Sequence, residues 1–471
     1  YFLMLINHRI KHFKLSLMDT IRQKMSSDKF NRFIKTFGPG IMFAGTCIGG
    51  SHLIQSTKAG AFYGFGLLVV VLFANLFKYP FFEFASRYTN ATGDSILEGY
   101  KKLGKTPLWI YGIVTLFSMF IITAAIIAFT AGLANNFCSD YFGVQIDWLW
   151  WPVIISFIVL ILLSYGKFRI LDITLKIIGL ILVVTVTVAF FMLLGTPTKL
   201  PSPNSLDILN TSNGFAFAIF LMGWMPMGID MSAWHSLWTQ ERIKQTGYHP
   251  TLKETLLDFK IGYGITVVLA IFFLSIGART LYGVSTIKEI NNLSGVGYAD
   301  LLVNAFINTM GNWSAIIISI AAFSTMFGTS ITLADGYCRA INRTVHLLKK
   351  QKEMNSPNNQ KEEGVFNGID VKEKQVTESK KSYLVWVLVL FTGSYILIYF
   401  VGSKLSNIMN LATGTSFMIA PIAAYFNYKI VFSEDVPRTL QPSLGLKWLA
   451  ITGLCIITSF SLGYLYILFT M

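Results

Sequence analysis

Two short segments of this chain combine side chains that could bind a ligand with residues that interrupt a helix. Together they contain Thr46, Gly49, Gly50, Ser51 and His52 in the first segment, and Met222, Met225, Pro226 and Asp230 in the second. Imidazole and thioether groups bind soft transition metals, and a carboxylate inside a membrane is a functional candidate by default. Each segment lies within an apolar stretch long enough to cross a membrane. There, a broken helix survives only if it lines a protected cavity.

The two interruptions fall at matching positions in the two halves of the chain. Paired breaks of this kind are the best sequence-level indication of the binding site in a transporter built from inverted repeats. We therefore expect both breaks to face one shared site near the centre of the membrane.

The composition supports a membrane protein. Of 471 residues, 53% are hydrophobic and 13% are charged, which is about half the charge of a soluble domain. The net charge of +14 comes from loops that flank the apolar stretches, so it does not indicate a nucleic-acid partner. The four cysteines are widely separated, which argues against a disulfide framework.

Eleven apolar spans are expected, and the basic residues orient them. The spans cover about 39–58, 61–86, 107–133, 149–165, 170–194, 214–238, 259–282, 312–337, 383–402, 405–428 and 446–468. Of the 38 Lys and Arg residues, 32 fall on one side of this arrangement, five on the other, and Lys78 lies inside the second span. The positive-inside rule then predicts a cytoplasmic N-terminus and an outside C-terminus.

The spans group into two inverted halves. Five spans are an odd number, so a second set of five enters the membrane from the opposite face. We expect an all-α integral membrane protein with a LeuT-like 5+5 inverted repeat, in which helices 1 and 6 are broken. The predicted parts are a basic cytoplasmic segment (1–36), a first repeat (37–195), a second repeat (196–428) with a disordered cytoplasmic loop (about 347–382), and an eleventh helix (429–471).

Several residues resemble the Nramp divalent-metal transporters. The likeness is carried by Gly38-Pro39-Gly40, by Ala59-Gly60-Ala61 with Gly64, by Met225-Pro226, and more weakly by Phe327-Gly328-Thr329-Ser330. It covers roughly residues 36–430. The resemblance implies eleven spans, a divalent metal as substrate and transport by alternating access.

The chain departs from that family where the family binds its metal. The Asp-Pro-Gly-Asn motif of the first helix corresponds to Gly49-Gly50-Ser51-His52, so both of its side-chain oxygen ligands are missing. The family's Met-Pro-His becomes Met225-Pro226-Met227, and a glutamine ligand position falls on Asn407. The third span contains no acidic residue, although the resemblance places proton-carrying carboxylates there. Proton coupling is therefore expected to be altered or absent.

The candidate site follows from these residues. We predict that substrate is bound by Thr46, Gly49, Gly50, Ser51, His52, Met222, Met225, Asp230 and Asn407. His52 and Met225 are the candidate metal ligands, and Asp230, Asp335 and Arg339 are candidates for gating or coupling. Near the inner end of the second span, Glu83 and Arg87 are spaced for a structural ion pair.

The sequence therefore predicts a secondary transporter of a divalent metal ion. An anion or small neutral solute remains an alternative cargo, because the first break lacks a carboxylate and half-helix ends attract anions. A non-transporting sensor is a further alternative. An enzyme is not expected, because the sequence contains no combination of residues typical of a catalytic site. We expect a monomer in the plasma membrane, such as a bacterial inner membrane. Its partners would be lipid, the metal and candidate coupling protons, with no cofactor.

Overall fold

The structure is a computed structural model, and it describes residues 27–165, 168–195, 197–284, 286–354, 380–401 and 405–470. These residues form α-helices, short helical turns and connecting loops, which confirms the predicted all-α class. The helices of the first half are α1 Ser27–Thr36, α2 Pro39–Cys47, α3 Thr57–Tyr63, α4 Leu68–Thr92, α5 Ile96–Leu103, α6 Lys105–Phe142, α7 Trp150–Tyr165 and α8 Phe168–Leu193. A π-helical segment, Ile48–Ser56, joins α2 to α3.

The second half is equally helical. Its helices are α9 Ser205–Leu209, α10 Ser212–Trp224, α11 Ser232–Thr246, α12 Leu252–Thr280, α13 Ile287–Asn292, α14 Gly295–Met310, α15 Ala315–Met354, α16 Lys380–Val401, α17 Leu405–Val431 and α18 Leu444–Thr470. Single 3₁₀ turns occupy Ile229–Met231, Asn312–Ser314 and Arg438–Leu440.

Each of the eleven predicted spans corresponds to a helix or to a broken pair of helices. Within the described ranges, eight helical stretches are long and apolar enough to cross a membrane. The other three predicted spans are the interrupted first span (α2, the π segment and α3) and the apolar helices α7 and α8. The sixth span is the pair α10 and α11.

The boundary between the first two spans differs from the prediction. The first span continues to Tyr63, and the second begins at Leu68 rather than at residue 61. Gly64 ends α3 with φ of 57°, a conformation that glycine adopts far more readily than other residues. The apolar run continues through this turn, which is why hydropathy alone did not locate it.

Close glycine contacts fix the first span against α12. A Cβ on Gly40 would lie 2.1 Å from the Asp258 carbonyl oxygen, and one on Gly60 would lie 2.1 Å from that of Leu274. Gly277 of α12 approaches the Thr57 carbonyl equally closely. Small residues let membrane helices approach closely, so Gly60 of the Ala59-Gly60-Ala61 motif has a packing role.

Several of the predicted loops contain helices, among them α1, α5, α9, α13 and α14. Helix α5 begins with a capping box in which the Ser95 and Glu98 side chains and backbone amides pair reciprocally. Helix α15 continues through residue 347 to Met354, so the start of the predicted disordered loop is helical. Residues 355–379 of that loop lie outside the described ranges.

The buried core lies around the two broken spans, and apolar side chains cover the outer surface. Trp234, Trp238 and Phe43 are almost fully buried, whereas Trp448 and Tyr466 of α18 are exposed. An apolar exterior around a packed interior is what lipid contact requires. The fold therefore holds the two breaks inside the bundle.

Candidate functional site

The first span is interrupted at Gly49. Its backbone has φ −70° and ψ −116°, outside the helical region, and the following turns are π-helical rather than α-helical. Thr329 of α15 lies against this segment, because a Cβ on Gly49 would be 2.4 Å from its hydroxyl oxygen. The Thr329 hydroxyl also lies 3.1 Å from the Gly45 carbonyl oxygen. The predicted break at Gly49-Gly50 is present.

The sixth span is interrupted between Trp224 and Ile229. Helix α10 ends at Trp224, the Met225–Pro226 peptide bond is cis, and the chain is extended at Gly228 before the next turn begins. The indole of Trp224 donates a hydrogen bond to the Ser416 hydroxyl of α17 at 3.1 Å. The second predicted break is therefore also present, and it is held against α17.

The two breaks line one shared cavity of about 30 Å³. It is lined by residues of the first span, of α6, of the second break and of α15: Thr46, Cys47, Gly50, Ser51, Ile122, Ile126, Trp224, Pro226, Met227, Gly228, Met231, Thr329 and Leu333. Its polar atoms are hydroxyls, sulfur atoms and backbone groups of the interrupted helices. This mixture of polar and apolar groups suits a small ligand.

The structure brings some predicted site residues to the cavity and not others. Thr46, Gly50 and Ser51 line it. Gly49, His52, Met222, Met225 and Asp230 are buried next to the breaks but are not among the lining residues. The side chain of Asn407 lies outside the described part of the structure. The cavity instead gains the sulfur atoms of Cys47, Met227 and Met231.

Both ring nitrogens of His52 contact polar atoms of the protein. Nδ1 lies 2.6 Å from the Ser51 hydroxyl and 2.9 Å from the Cys47 carbonyl oxygen. Nε2 lies 2.8 Å from the carbonyl oxygen of Thr266 on α12. The carbonyl oxygens of Cys47 and Thr266 are both acceptors, so whichever nitrogen carries the proton of a neutral ring donates to one of them. In this arrangement His52 ties the π segment to α12.

Asp230 lies at the start of the second half of the sixth span. It is 3% exposed, and its carboxylate lies against the backbone amides of Asp230 and Met231. A carboxylate at a helix N-terminus is stabilised by the free amides and the helix dipole. Its Oδ1 atom has no hydrogen-bond partner within the described structure.

Lys78, from the middle of α4, contacts the other side of the same break. Its ammonium group donates to the carbonyl oxygens of Met222, Gly223 and Met227. Sequence reasoning did not place this residue in the site, although a charged residue inside a span is a functional signal in itself. The sequence could not identify its partners, because they are backbone oxygens.

Asp335 and Arg339 form the centre of a second network, and neither residue is among those that line the cavity. The guanidinium of Arg339 donates to the Asp335 carboxylate at 2.8 Å. Trp238 of α11 and Tyr383 of α16 donate to the same carboxylate at 3.0 and 2.8 Å. Three helices thus meet at one buried charge. The predicted ion pair between Glu83 and Arg87 is also present, at 2.5 Å.

The donor set of the cavity is unusual for a hard metal ion. Among the described residues, no group of three or more His, Cys, Asp or Glu side chains is placed to hold a metal. The sulfur atoms of Cys47, Met227 and Met231 are soft ligands. Any hard cation here would rely on hydroxyls and backbone carbonyls.

Comparison with known proteins gives a match over most of the chain. The family model described as natural resistance-associated macrophage protein-like (Nramp) matches residues 40–467. An uncharacterized protein of Pasteurella multocida is 31% identical over 460 residues, which covers 95% of this chain and 96% of that protein. The divalent metal cation transporter MntH of Brucella suis is 32% identical over 95 residues, 19% of this chain and 21% of that protein.

Solved structures share the fold at low sequence identity. A manganese transporter of Eremococcus coleocola has a TM-score of 0.66 and 14% identity, covering 91% of this chain and 86% of that one. The nucleobase–cation symporter Mhp1 has a TM-score of 0.54 and 12% identity, covering 93% of each chain. These likenesses confirm the LeuT-like fold with interrupted helices 1 and 6. Together with the family match, they show that this multi-pass membrane protein belongs to the Nramp family.

Proposed function

We propose that the protein is a secondary transporter that moves its cargo by alternating access through the cavity between the two breaks. The observation that supports this is the shared cavity, which residues of both interrupted spans line. In inverted-repeat transporters, substrate binds at such a place while one bundle rocks against the rest. Family membership already makes the chain a transporter and not an enzyme.

We place the N-terminus in the cytoplasm and the C-terminus outside, in a plasma membrane such as a bacterial inner membrane. The excess of Lys and Arg on one side supports this orientation. Alkaline phosphatase fused after residue 471 is active only outside the cytoplasm, and a fluorescent protein fused there is bright only inside. We expect an active phosphatase fusion and a dark fluorescent fusion, and the reverse pattern would overturn the orientation.

A divalent metal ion is the first candidate cargo. Two similar proteins support it: MntH of Brucella suis is described as a divalent metal cation transporter, and the Eremococcus coleocola protein as a manganese transporter. The chain also belongs to the Nramp family. The sulfur atoms of Cys47, Met227 and Met231 favour a softer ion such as zinc or iron over magnesium. His52 and Met225 join this proposal only if a conformational change turns them towards the cavity.

An anion or a small neutral solute is the second candidate cargo, and the lack of a carboxylate among the lining residues favours it. The lining residues include no carboxylate, and the Lys78 ammonium lies against the backbone of the lining residue Met227. A divalent cation moved into a low-dielectric site without a counter-charge carries a large desolvation penalty. A cavity lined without a carboxylate suits an anion or a neutral polar solute better.

One pair of experiments separates the two cargoes. Purified protein is titrated calorimetrically with manganese, iron(II), cobalt, zinc and magnesium, and proteoliposomes are assayed for uptake of labelled small carboxylates and neutral amino acids. Saturable metal binding that Cys47→Ser/Met227→Leu abolishes supports the metal. Absence of metal binding, combined with uptake that Gly50→Ala abolishes, supports the organic solute. Absence of both activities would contradict the transporter proposal.

We expect any proton coupling to be altered or absent, because the described third span, α6, carries no carboxylate in its buried portion. A pH gradient across proteoliposomes tests this. Uptake that is unchanged when the gradient is collapsed supports the proposal, and uptake that depends on the gradient contradicts it.

A monomer is the expected functional unit, and light scattering of the detergent-solubilised protein measures its mass.

A further inference from the structure

Lys78 holds a fully internal position inside the membrane bundle. It lies in the middle of α4, its side chain is 1% exposed, and its ammonium nitrogen is 2.5 Å from the Met222 carbonyl oxygen. The carbonyl oxygens of Gly223 and Met227 lie at 2.9 and 3.0 Å. A lysine ammonium has three N–H donors, so all three are used. This is a cation enclosed by backbone oxygens.

We call these three carbonyl oxygens the oxygen cage. They are available to Lys78 because the first half of the sixth span, α10, ends at Trp224. The last carbonyl groups of a helix have no partner further along it, and they form the negative end of the helix dipole. Met222 and Gly223 belong to the last turn of α10, and Met227 follows in the extended segment. The Met222 carbonyl oxygen also accepts from the Met225 amide at 3.3 Å, so Lys78 uses its second acceptor position. Carbonyls freed at such half-helix ends are the groups that coordinate sodium ions in inverted-repeat transporters.

The opposite end of the break has its own fixed charge. Asp230 lies against the first amides of the following helical turn, and its Oδ1 atom is buried without a hydrogen-bond partner in the described structure. Lys78 and Asp230 are close enough to interact electrostatically. The negative end of α10 and the positive end of the next helical segment are therefore each matched by a side chain of opposite sign.

We propose that Lys78 is the tethered occupant of an internal monovalent-cation site at the break of the sixth span. Its ammonium takes the place that a free sodium, potassium or ammonium ion would hold, so the break needs no bound ion. Removal of the side chain then leaves an oxygen cage that a small free cation can fill. This inference goes beyond the transport proposal, because it holds for either cargo.

Thermal unfolding of the purified protein tests the proposal without a transport assay. Wild type and Lys78→Ala are compared in N-methylglucamine chloride and after replacement of that salt by sodium, potassium, ammonium or methylammonium chloride at constant ionic strength. We expect the wild-type melting temperature to be the same in all five salts. We expect Lys78→Ala to melt lower in N-methylglucamine and to recover by several degrees, saturably, with at least one small cation.

Two further variants keep the result interpretable. Lys429→Ala removes an exposed lysine at the end of α17, and it should show no ion dependence. If Lys78→Ala does not fold, Lys78→Gln replaces it and should show a weaker ion dependence of the same sign. The proposal is overturned if wild type responds to the ions as strongly as the variant, or if neither folded Lys78 variant responds to any of them.

Discussion

The carboxylate of Asp258 on α12 accepts hydrogen bonds from the backbone amide of Gly40, at 2.7 Å, and from that of Gly38, at 3.1 Å. It thereby caps the start of α2, the first half of the broken first span. The first amides of a helix have no internal partner, and a negative charge there is favoured by the helix dipole. One acidic side chain of α12 thus ties the start of the broken first span to its neighbour.

Replacement of Asp258 by asparagine should destabilise the protein. The amide keeps one acceptor but loses the charge, and hydrogen bonds to charged groups contribute about 1.5–3 kcal/mol each. We expect a loss of about 1–3 kcal/mol, seen as a melting temperature several degrees lower by tryptophan fluorescence.

Asp94→Asn is the matched control for Asp258→Asn. Asp94 pairs with Lys102 at 3.0 Å, and both side chains are 40% exposed or more. Exposed ion pairs contribute about 0–1 kcal/mol. Equal destabilisation by the two substitutions would show that the capping role of Asp258 is wrong.

Asp335→Asn should loosen the junction of α11, α15 and α16. Removing one partner of a buried ion pair costs about 3–5 kcal/mol. Arg339 is 21% exposed, so we expect a cost near the lower end. The neighbouring thiol of Cys338 is free and buried, and it serves as an internal reporter. Its alkylation by a small maleimide, followed by peptide mass spectrometry, should become several-fold faster.

Glu241→Gln tests whether the Asp335 effect is specific. Glu241 lies 3.8 Å from Arg339 and is 31% exposed, so its ion pair with Arg339 contributes much less to stability than the ion pair of Asp335. We expect its effect on Cys338 labelling to be small. If Asp335→Asn leaves the labelling rate unchanged, the role of Asp335 in holding this helix junction together is contradicted.

Gly50→Ala should block the cavity while leaving the fold intact. A Cβ at this position would lie 2.5 Å from the Trp224 ring and 2.8 Å from the Ile126 side chain. The hydrogen bond between the Trp224 indole and Ser416 holds the ring in place. We expect uptake of the cargo, once it is identified, to fall at least tenfold, with a normal gel-filtration profile.

Gly45→Ala is the control on the same span. A Cβ on Gly45 meets no atom within 4 Å, so this substitution should leave uptake unchanged. Trp224→Leu in the Gly50→Ala background removes the obstructing ring and should restore part of the activity. If Gly45→Ala and Gly50→Ala lower uptake equally, the effect belongs to the helix backbone and not to the cavity.

The arrangement of helices was accessible from the sequence because its causes are local. Hydropathy located all eleven spans. Gly49-Gly50 and Met225-Pro226 marked the breaks, since glycine and proline disfavour the helix interior, although Pro80 and Pro421 lie within continuous helices. The end of the first span at Gly64 was missed because its neighbours are as apolar as the span itself.

The partners of the charged residues were much harder to predict. Lys78 reaches carbonyl groups 144 to 149 positions away, and Asp258 reaches amides about 220 positions away. Every residue has the same backbone groups, so the sequence does not show which of them a distant side chain will contact. Side-chain chemistry suggested His52 and Met225 as ligands, but the direction in which they point depends on the π-helical turns and on the extended segment.

His52 allows a test between a structural and a ligand role. Its Nε2 atom lies 2.8 Å from the Thr266 carbonyl oxygen, and Nδ1 contacts Ser51 and Cys47. Because both nitrogens are engaged inside the protein, we expect His52→Ala to lower the melting temperature, as the loss of a buried hydrogen-bonding side chain does.

The same substitution should leave cargo binding largely unchanged. His52→Gln, which can still donate towards Thr266, should recover part of the stability lost in His52→Ala. Calorimetric titration with whichever cargo the wild type binds provides the comparison, at a temperature well below the melting point of each variant. A His52→Ala protein that melts like wild type but no longer binds a metal would reverse this assignment, because the imidazole would then act as a ligand in a conformation that frees one ring nitrogen.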